Sequence, residues 1–192
     1  MAPRVDRNIL RVPRRGRSAE VMTFLGQFDD LSRRQFGDLE SCSVPELAWQ
    51  PRRGANTIGM LLAHNAVVEV YWMLVATESF TPERFEEILG IGLDDDGIPM
   101  PPDGLPPAHL RRRTIAWYRA LHDRARAFTS GVMRRLTTAD LDRVVRRRMR
   151  RKNSFHECNL RWLLYHVLEH QAGHYGQSLL LRHLYADRRK RT

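Results

Sequence analysis

Apolar residues recur every three or four positions through four long stretches of this chain, the period of an amphipathic α-helix, and almost nowhere alternate as a strand requires. Val21, Phe24, Leu25, Phe28, Leu31 and Leu39 mark the face of a first helix from about Ser18 to Glu40, and Pro45 closes the connection that follows. Asn56 is placed to N-cap a second helix reaching about Glu78. Gly90 to Leu110 is so rich in Pro, Gly and Asp that it reads as a long loop, and its aspartates lack the spacing and closing Glu of a calcium site. Leu110, Thr114, Trp117, Leu121, Ala125, Phe128 and Val132 form the stripe of a third helix. After a turn near Thr138 and an irregular basic stretch, a fourth helix runs from about Asn159 to Tyr185. Four such helices with one long crossover predict an all-α four-helix bundle. Residues 1–17 then read as a basic arm, 18–185 as a single domain and 186–192 as a basic tail.

The fourth helix carries the chemistry. His166, His170 and His174 stand four residues apart, so an α-helix stacks their imidazoles turn above turn on one side. Chance would place such a ladder in roughly one chain in a hundred of this His content. Imidazoles at i, i+4 can share one metal ion if a third ligand arrives from elsewhere. His64 is the candidate for that third ligand, since Leu61, Val68, Tyr71 and Val75 recur on its face of the second helix and point it toward the core. Three imidazoles leave coordination positions open for water or substrate, as a catalytic metal requires.

Composition narrows the surroundings. The 192 residues suit one domain with a sizeable core. Cys42 and Cys158 form no disulfide framework and no CxxC pair, which suits a reducing cytoplasm. The basic first twenty residues have no apolar h-region, and no eighteen apolar residues run together, so neither secretion nor a membrane span is expected. A net charge of +10 and the cluster Arg143 to Lys152 offer a rival reading, a surface for nucleic acid. No helix-turn-helix, zinc-finger or basic-zipper pattern accompanies the cluster, and it lacks the interleaved aromatics of single-strand binders. The expectation is a solvated loop. Trp72, Trp117, Trp162 and Tyr165 read as core or interface residues rather than ligand-stacking ones, while His122 and His156 read as surface and loop positions without a role.

ELAWQP, then NTIGMLLAH followed by VVEVYW, then NLRWLLYHVLEHQAGHYGQSLLLR resembles the DinB superfamily of bacterial metal-binding four-helix bundles, from about Ser18 to Leu184. Its most specific part is the ending EHxxxHxGQ. The resemblance implies a divalent metal, usually zinc or nickel, held by His64, His170 and His174, with His166 beside the site. Tyr175 stands where an Arg often follows the last His, a departure in the pocket rather than in the ligands. Several relatives are thiol transferases or thiol-dependent isomerases that use mycothiol, bacillithiol or glutathione, and relatives often dimerise through helix faces.

A dication held by neutral imidazoles keeps its charge, so the implied activity is transfer of a low-molecular-weight thiol to an electrophilic substrate. Activated water would instead give hydrolysis, and the same pocket would serve a protein that sequesters a small molecule without turnover. Zinc, nickel, iron and copper all accept three imidazoles. Only Lys152 and Lys190 among 32 basic residues are lysines, the skew of a G+C-rich genome; in an actinobacterium of that kind the thiol would be mycothiol. Metal-bound His commonly donates its other ring N–H to a neighbour, which makes Glu69, Glu169 and Gln177 candidates to orient the ligands. Glu69 lies roughly 140° around the helix from His64 and has an arginine on a neighbouring helix as its alternative partner.

Overall fold

Hydroxyl side chains set where the helices begin. Ser18, Ser43, Thr57, Thr81 and Thr114 each accept a hydrogen bond from the backbone N–H three residues on, a capping contact worth about 1 kcal/mol. They open α1 (Ala19–Asp38), α2 (Val44–Leu47), α3 (Ile58–Ala76), α4 (Pro82–Leu89) and α5 (Ile115–Met133). Strands β1 (Val144–Arg148) and β2 (Phe155–Asn159) follow, and α6 (Leu160–Lys190) ends the described chain. The structure, a computed structural model, describes residues 9–148 and 154–190.

Among the described residues the fold is all-α apart from that antiparallel hairpin, and α1, α3, α5 and α6 form the bundle. α3 is the central helix and packs most extensively on α5 and α6. His64 meets His170 and His174 while Trp72 meets Trp162 and His166, so α3 and α6 run antiparallel. Two apolar clusters fill the interior. One gathers Phe36, Leu62, Val70, Phe85 and Tyr118; the other gathers Phe28, Met73, Met133, Leu160 and Leu163 near the hairpin. α3 is also long and apolar enough to cross a membrane, yet 83% of that apolar window is buried inside the bundle.

Several boundaries depart from the pattern of the sequence. Thr57, not Asn56, caps the second bundle helix. Leu110 lies in a turn before α5, whose cap is Thr114. α4 leaves no periodic signal because eight residues are too short to establish one. α6 continues past Tyr185 to Lys190. The stretch that reads as irregular and basic holds the hairpin, its alternation hidden because an arginine, Arg147, occupies an inward position beside Val145. Of the Arg143 to Lys152 cluster, residues 149–152 lie outside the described residues.

His64 does not point into the core. All of α3 is buried except His64, Val68 and Tyr71, which fall at i, i+4 and i+7 and form a half-exposed seam facing α6. A helix buried on nearly every side carries little periodic contrast, so its residue pattern does not reveal which stripe stays open.

Candidate metal centre

His64 sits near the middle of α3, and His170 and His174 sit one turn apart on the facing side of α6. Ring centroids are separated by 4.9 Å for His64–His170, 5.1 Å for His64–His174 and 4.4 Å for His170–His174. One nitrogen from each ring lies within 4.8 Å of the other two. Nε2 of His170 and Nε2 of His174 are 3.2 Å apart, close to the roughly 3.4 Å that two ligands at about 2.1 Å from a tetrahedral ion would show.

Neighbouring groups orient these nitrogens. His64 Nδ1 donates to Asp96 Oδ2 at 2.8 Å, since a carboxylate can only accept, and this leaves the Nε2 lone pair for a ligand bond. Asp96 is 1% exposed, and its other oxygen accepts from the Ile98 amide at 2.9 Å. The turn that presents it needs Gly97: φ is +74°, and a Cβ there would meet Pro107 Cγ at 2.6 Å. His174 Nδ1 donates to Gln177 Oε1 at 2.8 Å, which again frees Nε2. Burial, reinforced by the neighbouring His174, His64 and His166, pushes the His170 pKa down to about 3. Burial also lowers that of His174. Both rings are therefore neutral near pH 7 and offer lone pairs rather than charge, a donor set that fits a divalent ion.

The remaining candidates take other places. His166 stacks on Trp162 with ring centroids 4.8 Å apart and stands 5.8 Å from His170, beside the trio. Glu169 is exposed and accepts from His166 Nδ1 at 3.1 Å, so it orients that ring and none of the three. Glu69 turns to α5, where Arg126 donates to both of its oxygens at 2.9 and 3.0 Å. That charge-assisted pair engages both oxygens and corrects the reading of Glu69 as a partner of a metal ligand. Gln177 is thus the one of the proposed orienting carboxylates and amides that touches the trio. Asp96 does so too, and the sequence gives no hint of it because it lies 32 residues from His64 in a loop without a recognised motif.

His122 is not at the surface: it is 4% exposed, and Nε2 donates to the Leu62 carbonyl at 2.9 Å. His156 lies on β2 against Trp72 and Trp162 rather than in a loop. Tyr175 donates its hydroxyl to Asp38 at the end of α1. In the basic cluster, Arg143 pairs with Glu78 at 2.8 Å, Arg146 with Glu157 at 3.5 Å, and Arg147 lies over Trp72.

A comparison with protein families matches residues 27–178 to the DinB superfamily. The chain belongs to the DinB superfamily. The match runs from the middle of α1 into the second half of α6 and takes in the whole histidine trio. No curated protein sequence matches the chain. His64, His170 and His174, the residues expected from the sequence to share a metal, are the three whose rings converge here. This DinB bundle thus holds a possible three-imidazole site for a divalent metal.

Proposed function

We propose that this DinB protein is a metal-dependent thiol transferase, using one divalent ion at His64, His170 and His174 to join a low-molecular-weight thiol to an electrophilic small molecule. Zinc or nickel is the expected ion, with iron and copper also accepted by such ligands. The observation that carries the reading is the convergence of three imidazoles on a half-exposed seam, with no carboxylate or thiolate ligand among the described residues to neutralise a dication. A dication in that setting supplies the Lewis acidity that converts a thiol to its thiolate near neutral pH.

The chain's own residues supply the rest. Asp96 and Gln177 fix two rings in the tautomer that offers Nε2, and α3 keeps bulk water to one side of the trio. His64, with 16% of its side chain exposed, lies at the open side where a thiol would enter. In the transfer the thiol gives its proton to solvent, its sulfur forms a bond to an electrophilic carbon of the second substrate, and the bond from that carbon to its leaving group breaks, the leaving group departing with the electron pair. Mycothiol is the expected thiol, and a reducing cytoplasm, in which Cys42 and Cys158 stay free, is the expected setting.

The test is the visible spectrum of cobalt-substituted protein titrated with mycothiol. The spectrum should change in wild type and stay flat in His170→Ala. Indifference of the wild-type spectrum to mycothiol, bacillithiol and glutathione alike would overturn thiol transfer and turn attention to hydrolysis by activated water or to sequestration.

A further inference from the structure

The seam that begins at His64 continues away from the trio. Val68 and Tyr71 follow it on α3, His166 lies alongside on α6, and the far end is covered by the inward face of the hairpin. From His64 to Tyr71 the rise is roughly 10 Å at 1.5 Å per residue, the length of a small organic acid. An inward strand position packed on tryptophan ordinarily takes an apolar side chain, and Val145 does so at 3% exposed. Two residues later the same face carries Arg147, with His156 directly opposite it on β2.

Arg147 lies 4.5 Å over the Trp72 ring and donates to the Tyr71 hydroxyl at 3.3 Å. Its Nε is buried with no partner, as is Nδ1 of His156. Leaving a buried donor unpaired costs stability that an apolar residue at this position would keep. Arg126, Arg143, Arg146 and Arg161 each pair with a carboxylate, whereas none of the ion pairs among the described residues includes Arg147. A guanidinium held over an indole keeps its N–H donors in one plane, and a planar oxyanion reaching them would satisfy the unpartnered Nε that the apolar neighbours cannot.

We propose that Arg147 and Tyr71, backed by Trp72, bind the carboxylate of a small organic acid that lies along the α3–α6 seam with its reacting end at the three-histidine centre. The inference rests on the thiol-transfer reading and deepens it by naming the class of electrophile, an apolar-bodied carboxylic acid. Binding at the Arg147 end, however, needs no metal.

The experiment measures binding of 4-phenylbutyrate and of its neutral amide by calorimetry and tryptophan fluorescence. Wild type should bind the acid at least tenfold more tightly than the amide. Arg147→Gln should erase that preference, and Arg147→Lys, which keeps the charge but not the fork, should lose at least fivefold should the Gln variant fail to fold. Arg146→Gln removes the same charge from the outward face of the strand and should change nothing. The preference should persist in His170→Ala, so a metal-free variant that still selects the acid supports the inference even if thiol transfer fails. Equal binding of acid and amide, or a preference retained in Arg147→Gln, overturns it. A preference lost in His170→Ala but kept in both Arg147 variants would put the carboxylate on the metal and overturn the inference while sparing the proposed function. Displacement of the acid by inorganic phosphate at comparable affinity would overturn the carboxylate class.

Discussion

Asp96→Asn tests whether the crossover loop is part of the metal centre. The substitution keeps shape but removes the charge from the group that receives the His64 Nδ1 proton at 2.8 Å. An asparagine oxygen still accepts from that N–H, yet a charge-assisted bond is roughly twice as strong as a neutral one. Its amide nitrogen then faces the Ile98 N–H, a donor against a donor at a position 1% exposed. Loss of a partner that orients a metal-bound imidazole costs about ten- to hundredfold in metal affinity, or about 1.4–2.7 kcal/mol. Zinc affinity, measured by competition with a chromophoric chelator at fixed pH, should fall within that range in Asp96→Asn. Asp95→Asn is the control: Asp95 is exposed and caps the loop through the Gly92 amide, so it should bind zinc as wild type does. Equal affinity of Asp96→Asn and wild type, or an equal fall in Asp95→Asn, would refute the role given to Asp96.

Alanine at His64, His170 or His174 should each leave purified protein with less than stoichiometric metal, while His166→Ala should keep it; elemental analysis decides, and full metal in any two of the first three would end the trio's claim. Glu69→Gln should destabilise the fold by about 3 kcal/mol in urea titrations, at the lower end for a broken buried pair because Asp29 still holds Arg126 at 2.7 Å. Burial holds His122 neutral, with its folded pKa below the usual 6.5. The unfolded chain therefore binds the extra proton first: the contribution is complete above about pH 6.5 and is lost as pH falls below it, at up to about 1.4 kcal/mol per pH unit. His122→Gln keeps the donor to Leu62 and cannot titrate, so its stability should fall less steeply on acidification than that of wild type, and parallel curves would refute this. Trp162, Tyr165, Leu180 and Leu184 lie on one outward stripe of α6 and are all more than a third exposed, whereas Leu181 packs inward. A homodimer through that stripe is the expected assembly, and light scattering that finds monomer across a wide concentration range would remove it.

Local rules account for the part of this protein that its sequence makes legible. Helical period depends on neighbours three and four residues apart, so the four bundle helices and the His166, His170 and His174 ladder on the last of them follow from short stretches of chain. Composition alone marks the loop after Gly90. The pattern of its own helix offers His64 as the third ring but assigns it to the core, because α3 is buried on almost every side, and resemblance then selects His170 and His174 from the ladder as its partners. What tertiary packing decides has no local signature. Asp96 reaches His64 across 32 residues and Glu69 reaches Arg126 across 57, so each carboxylate's partner depends on which helix or loop packs beside it. The hairpin shows the same limit from the other side. VVRRR reads as a charged loop until β2 pairs with it and turns Arg147 and His156 onto the tryptophans, because only the pairing register determines which alternate side chains face inward.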